Sequence, residues 1–420
     1  MGTALLVIGT IYFLAHFLAS AYPRSRVPDV LGLVLFGVLL GPVTGLVPVE
    51  SFGKSGPVLT TIALAVILFE SGTSLSLETI CASTRHTLLL TLTTTVATAA
   101  VITIGAAMWA DLGWLPAALL GVIASGTSSA VVIPMLASLR TGPAATTVLT
   151  LESAITDVLS IVGTFALLKA ATAGDLHAGT VLGGVVAAFG VASVLGIGAG
   201  IAWLKVWKYI RAIPNAMFTT PALGFVVYGL AEVLGFSGAI AVLAFGITLA
   251  NSQWLERWAP FRDQKPEGVT GPEKAFFAEM VFLLKTFFFV YLGISIQFHS
   301  IAHTAMVATV LLAVFLLRLL ISRWTLGEWE LRDRQVASFM IPKGLAAAVL
   351  AGMPLQLGIV GGEVIRDWAY QLVFVSIVIT AIVGALTDVA AVRRLYARML
   401  ERETRARDAG KVIKPPHSPA

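Results

Sequence analysis

The sequence predicts an all-α integral membrane protein of about thirteen transmembrane helices, and three observations carry that prediction. Of 420 residues, 57% are hydrophobic and only 12% are charged, about half the charged share of a soluble domain. The apolar residues gather into windows of about twenty, enough to cross a hydrocarbon layer of roughly 30 Å. Basic residues collect on alternate loops, the mark of a chain that crosses a bilayer many times.

In order, the spans cover about 3–20, 29–47, 58–76, 86–109, 115–138, 146–169, 179–204, 217–233, 236–250, 276–296, 303–323, 336–358 and 368–392. The first opens close behind Met1 without a basic stretch, so no cleavable signal peptide is read into it. The eighth and ninth are short. The fifth is interrupted by Ala124-Ser125-Gly126-Thr127-Ser128-Ser129 and then Pro134, the twelfth by Pro342-Lys343-Gly344 and later by Gly352-Met353-Pro354. Broken helices in corresponding positions of two halves point to an inverted-repeat transporter with its site at the midplane. Unwound backbone is tolerated there where it is buried or lines a water-filled cavity, and its freed carbonyls are then ready cation ligands. Kinks between packed helices are the plain alternative.

Charge placement sets the topology. A cytoplasmic C-terminus puts twenty-two Lys and Arg on the inner side, among them Arg24, Arg140, Lys205, Arg211, Arg262, Arg323, Arg332 and eight from Arg393 to Lys414. The outer loops hold three: Lys54, Lys169 and Arg366. The N-terminus is therefore expected outside and the C-terminus inside. The net charge of +5 reads as topology, and no nucleic-acid partner is expected. One cysteine, Cys81, excludes an internal disulfide. The loop Asn251 to Lys274 reads as a connector and residues 394–420 as a disordered tail.

Ionisable groups inside spans are costly, about 2.5 to 3.5 kcal/mol each on insertion scales, and so they read as functional or paired. The sixth span carries Glu152-Ser153-Ala154-Ile155-Thr156-Asp157. At about 100° per residue, Ser153 and Asp157 share a face, and Glu152 must find its partner on another helix. Arg318, deep in the eleventh span, needs a buried carboxylate; Glu152 is the expected one, which leaves Asp157 to titrate. Glu70 sits late in the third span. Lys343 lies at the twelfth-span break, placed to offset the carbonyl end of a half-helix. Lys285, mid-way along the tenth, reads equally well as a structural or a functional pair. Asp157, Ser153, Glu70 and the Thr127 region give an oxygen donor set suited to an alkali cation. The histidines are scattered, and no cofactor is expected.

These residues together resemble the monovalent cation:proton antiporter superfamily, on its NhaP-like sodium/proton exchanger branch. Glu152-Ser153-x-x-Thr156-Asp157 and Arg318 carry the likeness. It is supported by Phe69-Glu70-x-Gly72, Ser237-Gly238-Ala239 with Gly246 and Asn251, Phe289-Val290-Tyr291-Leu292-Gly293, Lys343-Gly344, and Val27-Pro28-Asp29 leading to Gly37 and Gly41-Pro42. The resemblance covers residues 3 to 392. It implies an NhaA-like inverted-repeat fold with two broken crossing helices, a homodimer and elevator-type motion; the expected place is the plasma (inner) membrane, and the short tail fits a prokaryotic exchanger better than an animal one. It implies dimerisation helices one to three (1–76) and eight to ten (205–298), and core helices four to six (86–172) and eleven to thirteen (303–393). The seventh helix (179–204) would link them, and 394–420 would be a cytoplasmic tail. It implies Asp157 as the shared cation and proton site, completed by Ser153, Glu70, Thr127 and Thr156. Glu152 with Arg318 would be the supporting ion pair, and Ser128, Ser129, Lys343 and Lys285 auxiliary groups.

The chain departs from the family in two places. Thr156-Asp157 stands where Asn-Asp or Asp-Asp is usual, and Thr127-Ser128-Ser129 where many sodium exchangers have Thr-Asp-Pro. A single carboxylate exchanging one cation for one proton is the simplest scheme, and it is electroneutral. The expected substrate is sodium, with lithium beside it and potassium as the alternative. An enzyme is not expected: an intramembrane aspartyl protease needs a second deep Asp, and Asp388 lies at a span end without Gly-x-Gly-Asp. A cation channel or a transport-dead sensor remains the rival of another class.

Overall fold

Backbone polar groups in a bilayer must pair within their own segment, and helix is the only regular secondary structure among the described residues. The computed structural model describes residues 2–25, 28–52, 55–78, 85–139, 141–173, 178–214, 216–255, 268–326 and 329–400. Arg26, Lys54, Cys81, Arg140, the loop residues 256–267 and the tail from 401 onward lie outside them.

The helices are α1 (Gly2–Ser25), α2 (Asp29–Val38, running on through a wider turn at Leu39–Val43 that holds Pro42) and α3 (Ser55–Ser74). Then come α4 (Arg85–Trp109), α5 (Trp114–Ile123), α6 (Ser129–Ser138), α7 (Pro143–Ala173) and α8 (Ala178–Ile210). The second half holds α9 (Thr219–Val233), α10 (Gly238–Ala250), α11 (Gly271–Ser295) and α12 (Ile301–Thr325). It closes with α13 (Leu331–Phe339), α14 (Leu345–Leu350), α15 (Gly362–Leu386) and α16 (Ala390–Leu400). Among the described residues, seven helices are long and apolar enough to cross a membrane, and six shorter apolar helices of 10–17 residues accompany them.

Local chemistry sets several boundaries. The Ser300 hydroxyl accepts from the His303 N–H at 3.0 Å and starts α12. A capping box of Thr270 and Glu273 starts α11. The fifth span breaks into α5 and α6, and the twelfth into α13 and α14, where the sequence places Gly, Ser and Pro.

Packing sorts the helices into two groups. One joins α1, α2, α3, α8, α9, α10 and α11; the other joins α4 to α7 and α12 to α16. The first group is knit by close backbone approach at glycines. A Cβ on Gly72 would sit 2.5 Å from the Leu243 carbonyl, and one on Gly37 would sit 2.2 Å from that of Val290. Small residues let α3 meet α10 and α2 meet α11 without intervening side chains. Across the divide, α14 touches α3 and α11, α15 touches α2, and α7 touches α8.

One sequence expectation fails. The last span ends at Leu386, and residues 394–400, read as disordered, belong to helix α16. Tyr396 and Leu400, four apart on one face, are buried against Leu319. That apolar pair docks an otherwise charged segment onto the end of the bundle.

Candidate functional site

The two breaks meet. The Ser128 N–H donates to the Pro342 carbonyl at 2.8 Å, and a Cβ on Gly344 would lie 2.2 Å from Ser128 Oγ. Only a residue without a side chain lets the strands between half-helices approach this closely.

Unwinding frees backbone groups that must be paired again. The Ser160 hydroxyl donates to the carbonyls of Val122 and Ile123, both at 2.9 Å, at the end of α5. Lys343 Nζ donates to the carbonyls of Ser125 and Gly126 at 3.3 and 3.2 Å. The Thr127 N–H donates to Thr156 Oγ1 at 3.1 Å, and the two threonine hydroxyls are 3.2 Å apart. On the other break, the Lys343 N–H donates to Ser376 Oγ at 2.8 Å. Helix α7 thus holds the first break through Thr156 and Ser160, while the first break also receives the ammonium of the second.

Behind the crossing lies a bidentate ion pair. Arg318 donates to both oxygens of Glu152 at 2.7 and 2.8 Å, and its Nε donates to the Ala337 carbonyl at 2.7 Å. Thr94 Oγ1 adds a bond to Glu152 at 3.0 Å. A buried pair is tolerable when the remaining donors and acceptors are satisfied, as they are here. It ties α7 to α12 and to the end of half-helix α13.

In front lies a cavity of about 270 Å³ between the two groups of helices. Asp157 of α7, Ser128 and Ser129 beside the first break, and Leu345 of α14 line one side. Glu70 of α3 and Lys285 of α11 line the other. Ser129 Oγ donates to Asp157 Oδ2 at 3.3 Å. Lys285 Nζ is 2.9 Å from Asp29 Oδ2, so its charge is paired within its own group of helices. The space is large enough for several waters, and Asp157 is half-buried at its wall.

Of the residues singled out from sequence, Asp157, Glu70, Ser128, Ser129 and Lys285 meet at this cavity, and Glu152 with Arg318 meet behind it. Ser153 does not line the cavity; its hydroxyl turns back to the Thr150 carbonyl at 3.0 Å. Thr127 and Thr156 shape the break without lining the cavity, and Lys343 is buried within the crossing. Sequence reasoning missed Ser160 and Thr94, and it named Asp29 only within the second-helix motif, without its pairing to Lys285. Ser160 lies three residues past Asp157, and Thr94 belongs to the run Thr93-Thr94-Thr95, so both polar signals stood in apolar spans.

A carboxylate facing a cavity of this size, with hydroxyls beside it and unwound backbone behind, can hold a proton or a monovalent cation. Known proteins of similar sequence and shape fit this chemistry. Residues 9–392 match the family described as sodium/hydrogen exchanger, transmembrane. The K+/H+ antiporter NhaP2 of Shewanella oneidensis is 23% identical over 383 residues, covering 89% of this chain and 64% of that protein. The Na+/H+ antiporter NhaS2 of Synechocystis is 23% identical over 226 residues, covering 54% of this chain and 41% of the relative. The chain thus spans less than two thirds of the length of these relatives. The structure of the sodium proton antiporter MjNhaP1 from Methanocaldococcus jannaschii superposes with a TM-score of 0.68 at 21% identity, over 90% of this chain and 98% of that one.

Proposed function

Because the chain belongs to the sodium/hydrogen exchanger family, within the monovalent cation:proton antiporters, we propose that it exchanges a monovalent cation for a proton across the membrane. The observation that carries this reading is Asp157, which faces the cavity between the two helix groups beside the crossed breaks. Burial disfavours the bare carboxylate, so the site is expected to carry one of two occupants, a proton or a partly dehydrated cation. Either neutralises Asp157 and lets the helices that bear it move across the bilayer, while the empty charge is held back by its desolvation cost.

Glu70, Ser128 and Ser129 complete the site in this scheme, Thr127 and Thr156 fix the backbone beside it, and the Glu152–Arg318 pair and Lys343 brace the crossing. The division of packing into two groups supports an elevator in which α4 to α7 and α12 to α15 carry the site past the remainder. A homodimer built on the other group and an outside N-terminus complete the reading. With Asp157 as the one carboxylate that the moving group turns to the cavity, exchange is one for one and electroneutral.

Sodium, with lithium beside it, is the first substrate of this proposal. Potassium is the second, favoured by the Shewanella relative's name and by the absence of an acid at Ser128-Ser129. Proton flux in proteoliposomes with an imposed pH gradient tests both. Adding sodium, lithium and potassium salts in turn should collapse the gradient for at least one, and the order of effect names the substrate. No response to any of the three overturns the proposal.

A further inference from the structure

Helix α16 has three faces of different character. Its docked face buries Tyr396 and Leu400 against Leu319, with Phe315, Leu331 and Val383 packed around them. Its last carbonyls are held as well: Arg323 Nη1 donates to that of Met399 at 3.1 Å, and Arg334 Nη2 donates to that of Leu400. On the opposite face stand Arg394 and Arg398, four apart and exposed, with Arg393 exposed nearer the docked side. Between docked and cationic faces lies an apolar flank, Leu395 at 50% and Met399 at 39% exposure. The helix carries no acidic residue, and Arg394 Nε donates to the Ala390 carbonyl of its own helix at 3.3 Å.

The depth of the helix follows from its neighbours. A link of three residues separates it from the last spanning helix, α15, and Arg323, which holds its end, is followed by Trp324 at 69% exposure. Exposed Trp at a span end marks the headgroup layer. An apolar flank beside a cationic ridge at that depth is what an anionic bilayer surface binds.

We propose that α16 is a membrane-surface helix whose arginines take anionic lipid headgroups, and that through its docking on α13 this contact supports exchange. Arg334 and its neighbours supply the connection. Arg334 holds the end of α16; Arg332 donates to the Leu139 carbonyl at the end of α6 and to Asp388; Asp333 accepts from the Gly142 N–H before α7. These three residues open half-helix α13, which runs into the second break. Burial holds the Tyr396 phenol protonated, pushed up to about 12, so the docked face keeps its character across the pH range of exchange.

The coupling to flux rests on the antiport reading; the lipid contact does not. The test compares the wild type with Arg394→Gln/Arg398→Gln in vesicles of phosphatidylcholine with rising phosphatidylglycerol. Each arginine contributes on the order of fivefold in surface affinity. The wild type should exchange several-fold faster as phosphatidylglycerol rises, lose the gain in high salt, and gain nothing from soluble glycerol phosphate. The variant should need markedly more phosphatidylglycerol for the same gain. The thermal midpoint should rise with phosphatidylglycerol in the wild type and less in the variant, whether or not any cation is exchanged. Equal responses of both proteins, in rate and midpoint, overturn the proposal. A midpoint difference with no flux under any salt supports the lipid contact and overturns the antiport reading.

Discussion

The Ser128 N–H and the Pro342 carbonyl are joined by a 2.8 Å hydrogen bond, so the two broken helices touch at the points where each comes undone. Gly344, two residues on, lies so close to Ser128 that a single methyl would overlap its hydroxyl. Gly344→Ala is expected to push the breaks apart, costing about 1–3 kcal/mol as overpacking does. The thermal midpoint should fall and flux should fall with it. Unchanged stability would show that the crossing is looser than this contact implies.

The buried pair makes a second prediction. Removing one member of such a pair costs about 3–5 kcal/mol, because the partner is left charged and unpaired. Arg318→Met or Glu152→Gln alone should therefore be severe. The double variant should cost less than the sum of the two, and a double-mutant cycle on unfolding midpoints measures the difference. Additive losses would contradict a direct pair.

Thr156 supports the first break through one oxygen that accepts from the Thr127 N–H and donates to the Ser153 carbonyl. Thr156→Val keeps the shape and removes the acceptor, leaving a buried N–H unmet at about 1–3 kcal/mol. Thr156→Ser should keep both stability and exchange. A harmless valine would mean that the break is held elsewhere.

Much of this was legible in the sequence. The clusters of Gly, Ser and Pro at 125–129 and 342–344 pointed to breaks rather than mere kinks, and the helices do stop there; a guanidinium as deep as Arg318 demands a carboxylate, which Glu152 supplies at 2.7 Å. What the chain hides is contact between distant segments. Lys285 gave no sign that its partner is Asp29, at the head of a helix far earlier in the chain. Helical spacing put Ser153 on the Asp157 side, yet a serine within a helix readily bonds the carbonyl three or four residues back, and this one does. The cavity is a gap between two packed groups and has no sequence signature. Helix α16 was masked by its charges, with only Tyr396 and Leu400 to betray a docked face.

Proton competition fixes the sign of the pH dependence. In the proposed scheme protons and cations contend for one carboxylate, so apparent cation affinity should fall as pH falls, by about tenfold per unit once protons dominate. Ser129 Oγ donates a hydrogen bond to Asp157 Oδ2 at a long 3.3 Å. Ser129→Ala removes support for the charged form, so the acid-side loss of exchange should begin at higher pH, by up to about one unit. A shift toward lower pH would contradict the assigned contact.

The central claim is that Asp157 carries both occupants in turn. The direct measurement is cation-driven collapse of an imposed pH gradient in proteoliposomes, wild type against Asp157→Asn, with the fold of the variant checked by its thermal midpoint. The account predicts a collapse in the wild type and none in a folded variant. Cation-dependent proton movement that survives in Asp157→Asn would contradict it.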